Sequence, residues 1–162
     1  MRCIGIIGAM EVEVASLKEQ MKDIQVTRKA SMEFYSGIIE GKNVVVVRSG
    51  IGKVNAAVCT QILIDDFKAE VVINTGIAGS LNADINIGDI VVSTDLIHHD
   101  MNAVAFGYPV GQIPQMEAFS STVMMHFAHL QLKACKEANP DIEVFEGRIA
   151  SGDQFVADQG VK

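Results

Sequence analysis

Apolar residues come in short blocks along this chain, and the spacing inside each block predicts an element. RCIGIIG, from Arg2 to Gly8, is nearly all apolar and of strand length, which predicts a buried strand. EVEVASLKEQMKD follows with Val14, Leu17 and Met21 on one side of a helix. Phe34 to Ile39 and Val44 to Ser49 are β-rich runs parted by EGKN, a hairpin turn. GKVNAAVCTQILIDDF keeps the helical period through Val54, Ala57, Val58, Gln61, Ile62 and Asp65. EVVINTGIAG is a strand that breaks into small residues, and GDIVVSTDLIHHD is another, opened by Gly88 and Asp89. From Met101 to Glu117 the pattern is irregular, with Gly107, Pro109, Gly111 and Pro114, and a loop of that length in a compact domain is often functional. AFSSTVMMHFAHLQLKACKEANP reads as a long helix with Phe119, Val123, Phe127, Leu130 and Ala134 as its apolar stripe. EVFEGRIASGD is the last strand. Strands alternating with helices predict an α/β domain over residues 1–162, with a mixed, mostly parallel twisted sheet flanked by helices. The strand pair before the second helix is what makes the sheet mixed.

Composition narrows the functional classes. A chain of 162 residues can bury roughly 70% of its unfolded surface, enough for a substantial core. The formal charge of −7 argues against a nucleic-acid backbone as the main partner, because that binding needs basic surface. The sequence holds no run of apolar residues long enough for a membrane span, and its first residues read as a strand and not as a signal peptide. Cys3, Cys59 and Cys135 lie far apart in apolar surroundings, which fits reduced, packed thiols and a cytoplasmic setting.

Two nucleotide motifs fail on spacing. GIIG lacks the G-x-G-x-x-G spacing of a dinucleotide fingerprint, and SGIGKV has Val54 where a P-loop needs a metal-binding hydroxyl. Four strand ends nevertheless turn through small residues: IIGAM, RSGIGK, INTGIAGS and IASGDQF. Ligands of open α/β sheets bind at the carboxyl ends of strands, so this series predicts a site along that edge. Glu11 and Glu13 sit where the first strand hands over to its helix. Acids in a first helical turn are favoured by the macrodipole, by about 0.3–1 kcal/mol, so capping is one reading of both. Catalysis is the other. Glu13, three residues after Met10, is expected near the ligand edge, and Glu11 is expected to face solvent and serve the helix end. His98, His99 and Asp100 resemble a metal cluster, but adjacent strand residues point to opposite faces. His126 and His129 are helically spaced without a carboxylate or Cys at ligand spacing, so no metal site is expected. Phe106, Tyr108 and Phe155 are loop aromatics, equally suited to pinning a loop or stacking on a flat ligand.

IGIIGAMEVEV, SGIGKVNAA, INTGIAGS, GDIVVS, AFGYPVGQIP and SGDQFV occur in this order. Together they resemble the 5′-methylthioadenosine/S-adenosylhomocysteine nucleosidases of the nucleoside phosphorylase superfamily, from end to end of the chain. The resemblance implies a nucleoside phosphorylase-like fold and hydrolysis of an N-glycosidic bond, releasing adenine and a thioribose. Glu13 matches the glutamate that activates the attacking water, and Met10 a residue lining the ribose and water site. Ile51 matches a residue near the alkylthio group, and Ile77 and Ala78 the turn beside the sugar. Phe155 matches the aromatic stacked on adenine, and Val156 the residue whose backbone reads the purine edge. Phe106, Tyr108 and Pro114 match an alkylthio pocket completed by a partner subunit, which implies a homodimer. No metal or organic cofactor is implied. The family pattern runs on past these residues, to a Met-Glu pair on the ribose hydroxyls, an Arg beside the water and an Asp that protonates adenine. None has a counterpart here, and Asp153 and Asp158 belong to the preceding loop. The chain is therefore expected to be the N-terminal two-thirds of a nucleosidase domain, without its general acid. A phosphorylase, with Arg48 as the nearest cation for phosphate, and a non-catalytic association module are the competing readings.

Overall fold

The computed structural model describes residues 3–122 and 125–157. They fall into two compact units, Met1–Ala78 and Gly79–Lys162.

The first unit is a five-stranded sheet in the order β2-β3-β4-β1-β5. Its strands are β1 (Cys3–Gly8), β2 (Lys22–Lys29), β3 (Met32–Ile39), β4 (Lys42–Arg48) and β5 (Ala69–Asn74). β1 runs parallel to both β4 and β5, while β3 is antiparallel to both β2 and β4. Helices α1 (Glu11–Gln20) and α2 (Lys53–Asp65) cover its two faces. The four valines of β4 are all buried, as a strand covered on both sides requires. Val45 and Val47 join Phe34, Ile7 and the α2 residues Cys59, Ile62 and Leu63. Val44 and Val46 join Val14 and Met21 of the α1 segment, with Leu17 packed against them. Gly5 lets α2 approach, since a Cβ there would lie 2.9 Å from Leu63 Cδ1.

The second unit holds β6 (Ile90–His98), β7 (Ser121–Thr122), α3 (Met125–Ala138) and β8 (Val144–Ser151). β6 is central, parallel to β8 and antiparallel to β7. Ala128 packs with Val92 and Val144, backed by Ile90, Leu132 and Cys135.

The α/β class and the mixed sheet between helices stand as read from the sequence. The element details differ in three places. The first helix stops at Gln20, and β2 occupies residues that the helical reading ran into and the loop behind it. The second helix turns Cys59, Ile62 and Leu63 inward and leaves Val54, Ala57 and Val58 exposed. Apolar residues surround this helix, so its period admitted more than one face. The third helix begins at Met125, because Ser121 and Thr122 pair with Leu96 and Asp95. Its packed face is Ala128, Leu132 and Cys135, whereas Leu130 and Ala134 are exposed. Val123 lies outside the described residues.

Candidate active site

In the first unit β4, β1 and β5 lie side by side in parallel, so their carboxyl ends share one edge. Three of the four small-residue turns sit there, and the fourth follows β8 in the second unit. Backbone bonds tie the edge together: Ser49 N–H donates to the Gly8 carbonyl at 2.9 Å, and Thr75 N–H to the Ile7 carbonyl at 2.9 Å.

Glu13 is half-buried at this edge. Its Oε2 accepts the Met10 N–H at 2.8 Å, the reach from N3 back to the N-cap that satisfies an orphan donor. Its Oε1 accepts the Ile77 N–H at 3.1 Å, from the turn after β5. Three sequence-predicted residues, Met10, Glu13 and Ile77, are thus brought together by one carboxylate, with Ala78 next in the chain. Two glycines make room for it. A Cβ on Gly76 would lie 2.6 Å from Glu13 Oε1, and one on Gly8 would lie 3.0 Å from Glu13 Cβ. Sequence reasoning missed these glycines as supports of Glu13, although both stand in the quoted turns.

Glu11 is exposed, as expected, but the helix-cap role expected of it falls to Glu13. Glu13 itself closes the helix start, because only N3 can fold back on the N-cap amide. Glu11 instead accepts from Lys18 Nζ at 2.7 Å and lies 3.9 Å from Arg48 Nε. No ion pair to Glu13 is found among the described residues. Its charge is held by backbone N–H groups alone, and each oxygen retains acceptor capacity for a further donor.

Ile51 lies in the turn between β4 and α2 and is 74% exposed; Ile77 is 81% exposed. The turn bends through Gly50 and Gly52, at φ 86° and 101°, a conformation that favours glycine. Asn55 Nδ2 donates to the Ile51 carbonyl at 2.6 Å and fixes the turn from within α2. The sequence signal for Asn55 was its place in the helix's first turn, where a side-chain amide meets the preceding loop.

In the second unit, the 99–117 loop folds on itself. Val104–Phe106 forms a short 3-10 turn closed by Gly107 at φ 84°. Gly111 N–H donates to the Met101 carbonyl at 2.8 Å, and Gln115 N–H donates to the Tyr108 hydroxyl at 3.3 Å. The last bond brings Tyr108 beside the Pro114–Gln115 segment. Tyr108 and Pro114 are half-buried, and Phe106 stands out at 82% exposed. Phe155 is 95% exposed just after β8, with Val156 half-buried beside it. Asp158 lies outside the described residues, as does the side chain of His126. Among the described residues, no group of three or more His, Cys, Asp or Glu side chains could hold a metal ion. No helix among them is long and apolar enough to cross a membrane.

The sequence profile of the phosphorylase superfamily matches residues 3–162. A 5′-methylthioadenosine/S-adenosylhomocysteine nucleosidase of Anoxybacillus flavithermus is 47% identical over 159 residues, covering 96% of this chain and 66% of the relative. A nucleosidase of the same name from Colwellia psychrerythraea, solved in complex with adenine, superposes with a TM-score of 0.94 at 41% identity. That match covers 99% of this chain and 66% of the Colwellia chain. The Neisseria meningitidis nucleosidase, in complex with methylthio-immucillin-A, gives a TM-score of 0.93 at 38% identity, over 99% of this chain and 69% of that one. The chain therefore spans just under two thirds of the length of the curated relatives it matches, 66% and 65% for two of them.

Proposed function

The chain belongs to the phosphorylase superfamily, and from that premise we propose that it carries the water-activating half of a 5′-methylthioadenosine/S-adenosylhomocysteine nucleosidase site. The two compact units are read as parts of one nucleosidase domain, since a single superfamily profile runs through both. The observation that carries the proposal is the Glu13 carboxylate, held at 2.8 Å and 3.1 Å by two backbone N–H groups at the carboxyl ends of parallel strands. The nucleosidase names of the relatives support the substrate class.

In the proposed reaction the bond between the ribosyl anomeric carbon and adenine N9 breaks first in extent, and its electron pair leaves with the purine. The sugar acquires oxocarbenium character, as in other glycosidic cleavage. Water adds to that carbon, and Glu13 accepts the proton water gives up. Its negative charge also stabilises the developing cation. The departing adenine must gain a proton to leave well, and the group matched to that task falls outside these residues. Met10, Ile77 and Ala78 line the ribose side, and Ile51 lies near the alkylthio group. Phe155 stacks on adenine, and the backbone of Val156 reads the purine edge. Phe106, Tyr108 and Pro114 complete the alkylthio pocket of a second copy, so the working enzyme is a homodimer. Three free cysteines suit a cytoplasmic setting.

Phosphorolysis is disfavoured by the same carboxylate, which would repel a phosphate dianion at the water position. The test is adenine release from methylthioadenosine with and without phosphate, together with a Glu13→Gln variant, in the chain completed by the remaining C-terminal residues of the Anoxybacillus relative. Phosphate-independent release is expected, reduced about 10²–10⁴-fold by Glu13→Gln. A strict phosphate requirement would overturn the hydrolase reading. Near-normal turnover of the variant would remove Glu13 from the mechanism. A concentration-dependent oligomer without turnover would favour the association module.

A further inference from the structure

We propose that Asp100 is a positioning residue for the purine-stacking loop, clasping the chain at Asp153 so that Phe155 is presented in one place. The proposal rests on the purine reading of Phe155 and Val156.

The loop leaves β8 after Ser151, beside the end of β6 at its register partner His98. The ladder is carried one residue further by the His99 N–H, which donates to the Ser151 carbonyl at 3.0 Å. Asp100 Oδ2 then accepts the Asp153 N–H at 2.8 Å. Gly152 lies between these two bonds with no room for a side chain. A Cβ there would stand 2.7 Å from His99 Cε1 and 2.8 Å from Asp100 Cγ. The tail of β6 thus grips the first residues of the loop through backbone, carboxylate and close packing at once.

Phe155 is two residues beyond the last of these bonds and is 95% exposed, so no packing of its own ring fixes it. Its position is inherited from the backbone anchored at Asp153. A carboxylate suits the task because a charge-assisted hydrogen bond to an N–H is about twice as strong as a neutral one. Two residues of the HHD triplet, His99 and Asp100, thus have parts in this clasp. His99 supplies a backbone donor and a packing surface, and Asp100 supplies the acceptor.

The test compares the parent chain with Asp100→Asn and Asp100→Ala, following exchange of the Asp153 amide proton and the dissociation constant for adenine by NMR. Exchange is expected to quicken about tenfold or more in Asp100→Ala, and adenine binding to weaken about tenfold. Asp100→Asn, whose amide oxygen still accepts, should fall between the two. A merely destabilising substitution would quicken exchange throughout β6 and β8, whereas the clasp predicts quickening centred on Asp153. If Asp100→Ala does not fold, Asp100→Asn decides alone: exchange faster than in the parent supports the clasp. Parent-like exchange in the folded variants overturns the clasp, and so does equal loss of binding in both that tracks global unfolding. Failure of the parent chain itself to bind adenine would overturn the purine reading, while the exchange data still report on the clasp.

Discussion

On the proposed reading, Glu13 serves structure and chemistry together. As the N3 residue it satisfies an orphan amide of α1. The second oxygen joins it to the turn after β5. Its position is therefore set by two backbone segments, and the carboxylate is aimed before any ligand arrives. Cys59 is the opposite case, a titratable group with no chemical task in the site. It is wholly buried against Leu63 and Phe34, and burial pushes its thiol up from 9.0 to about 11. In the unfolded chain the thiol ionises near 9, while in the folded chain it stays protonated. Stability is thus fully present below pH 9 and is lost as the pH rises toward 11, by about 2–3 kcal/mol across that window. Urea unfolding between pH 8 and 10.5 checks this. The alkaline loss should be smaller in Cys59→Ala than in the parent, since Cys3 and Tyr35 titrate in both.

At the scale of elements, the β2–β3 hairpin is the instructive one. Its two turn residues, Ala30 and Ser31, have φ of 49° and 62°. Such a turn normally announces itself with Asn-Gly or Asp-Gly. Alanine and serine hold it against a left-handed penalty of roughly 1–2 kcal/mol per residue. Ser31→Gly should therefore stabilise the first unit by about 1 kcal/mol, read as a higher midpoint in urea; an unchanged or lower midpoint would show that the turn is not strained. The same chemistry explains what the sequence hid. β2 has eight exposed residues and no buried face, its alternation is confined to Ile24 and Val26, and its turn lacked a glycine. β4, by contrast, was legible because its valines face two covered sides, and the Glu40–Gly41 turn carried its glycine at φ 70°. α2 and α3 were legible as helices but not in their packed faces. Their apolar residues outnumber the positions a single face can bury, and partner strands choose among them. In the candidate site, the strand-end glycines were legible from spacing, whereas spacing left Glu13 between capping and catalysis and the resemblance singled it out. The Asp100 clasp was not, because it joins residues 53 apart.

For the whole molecule, the decisive quantity is how much of the reaction these residues can perform. The chain covers 66% of the Anoxybacillus relative, and the resemblance assigns the ribose clamp and the purine's proton donor to the remainder. On the proposed reading it holds a base for water, a stacking surface for the leaving group and a pocket wall for a second copy. A base without the matching acid leaves the negative charge developing on adenine unneutralised. That omission alone costs typically 10²–10⁴-fold, and loss of the ribose clamp adds to it. Adenine release by the 162-residue chain should therefore be at least about a hundredfold slower than by the same chain extended with the relative's C-terminal residues, at equal enzyme concentration. Sedimentation of both samples would separate this chemical deficit from a failure to associate. Equal rates would mean that a proton donor lies within the first 162 residues. Asp153, two residues from Phe155, would then be the first group to substitute.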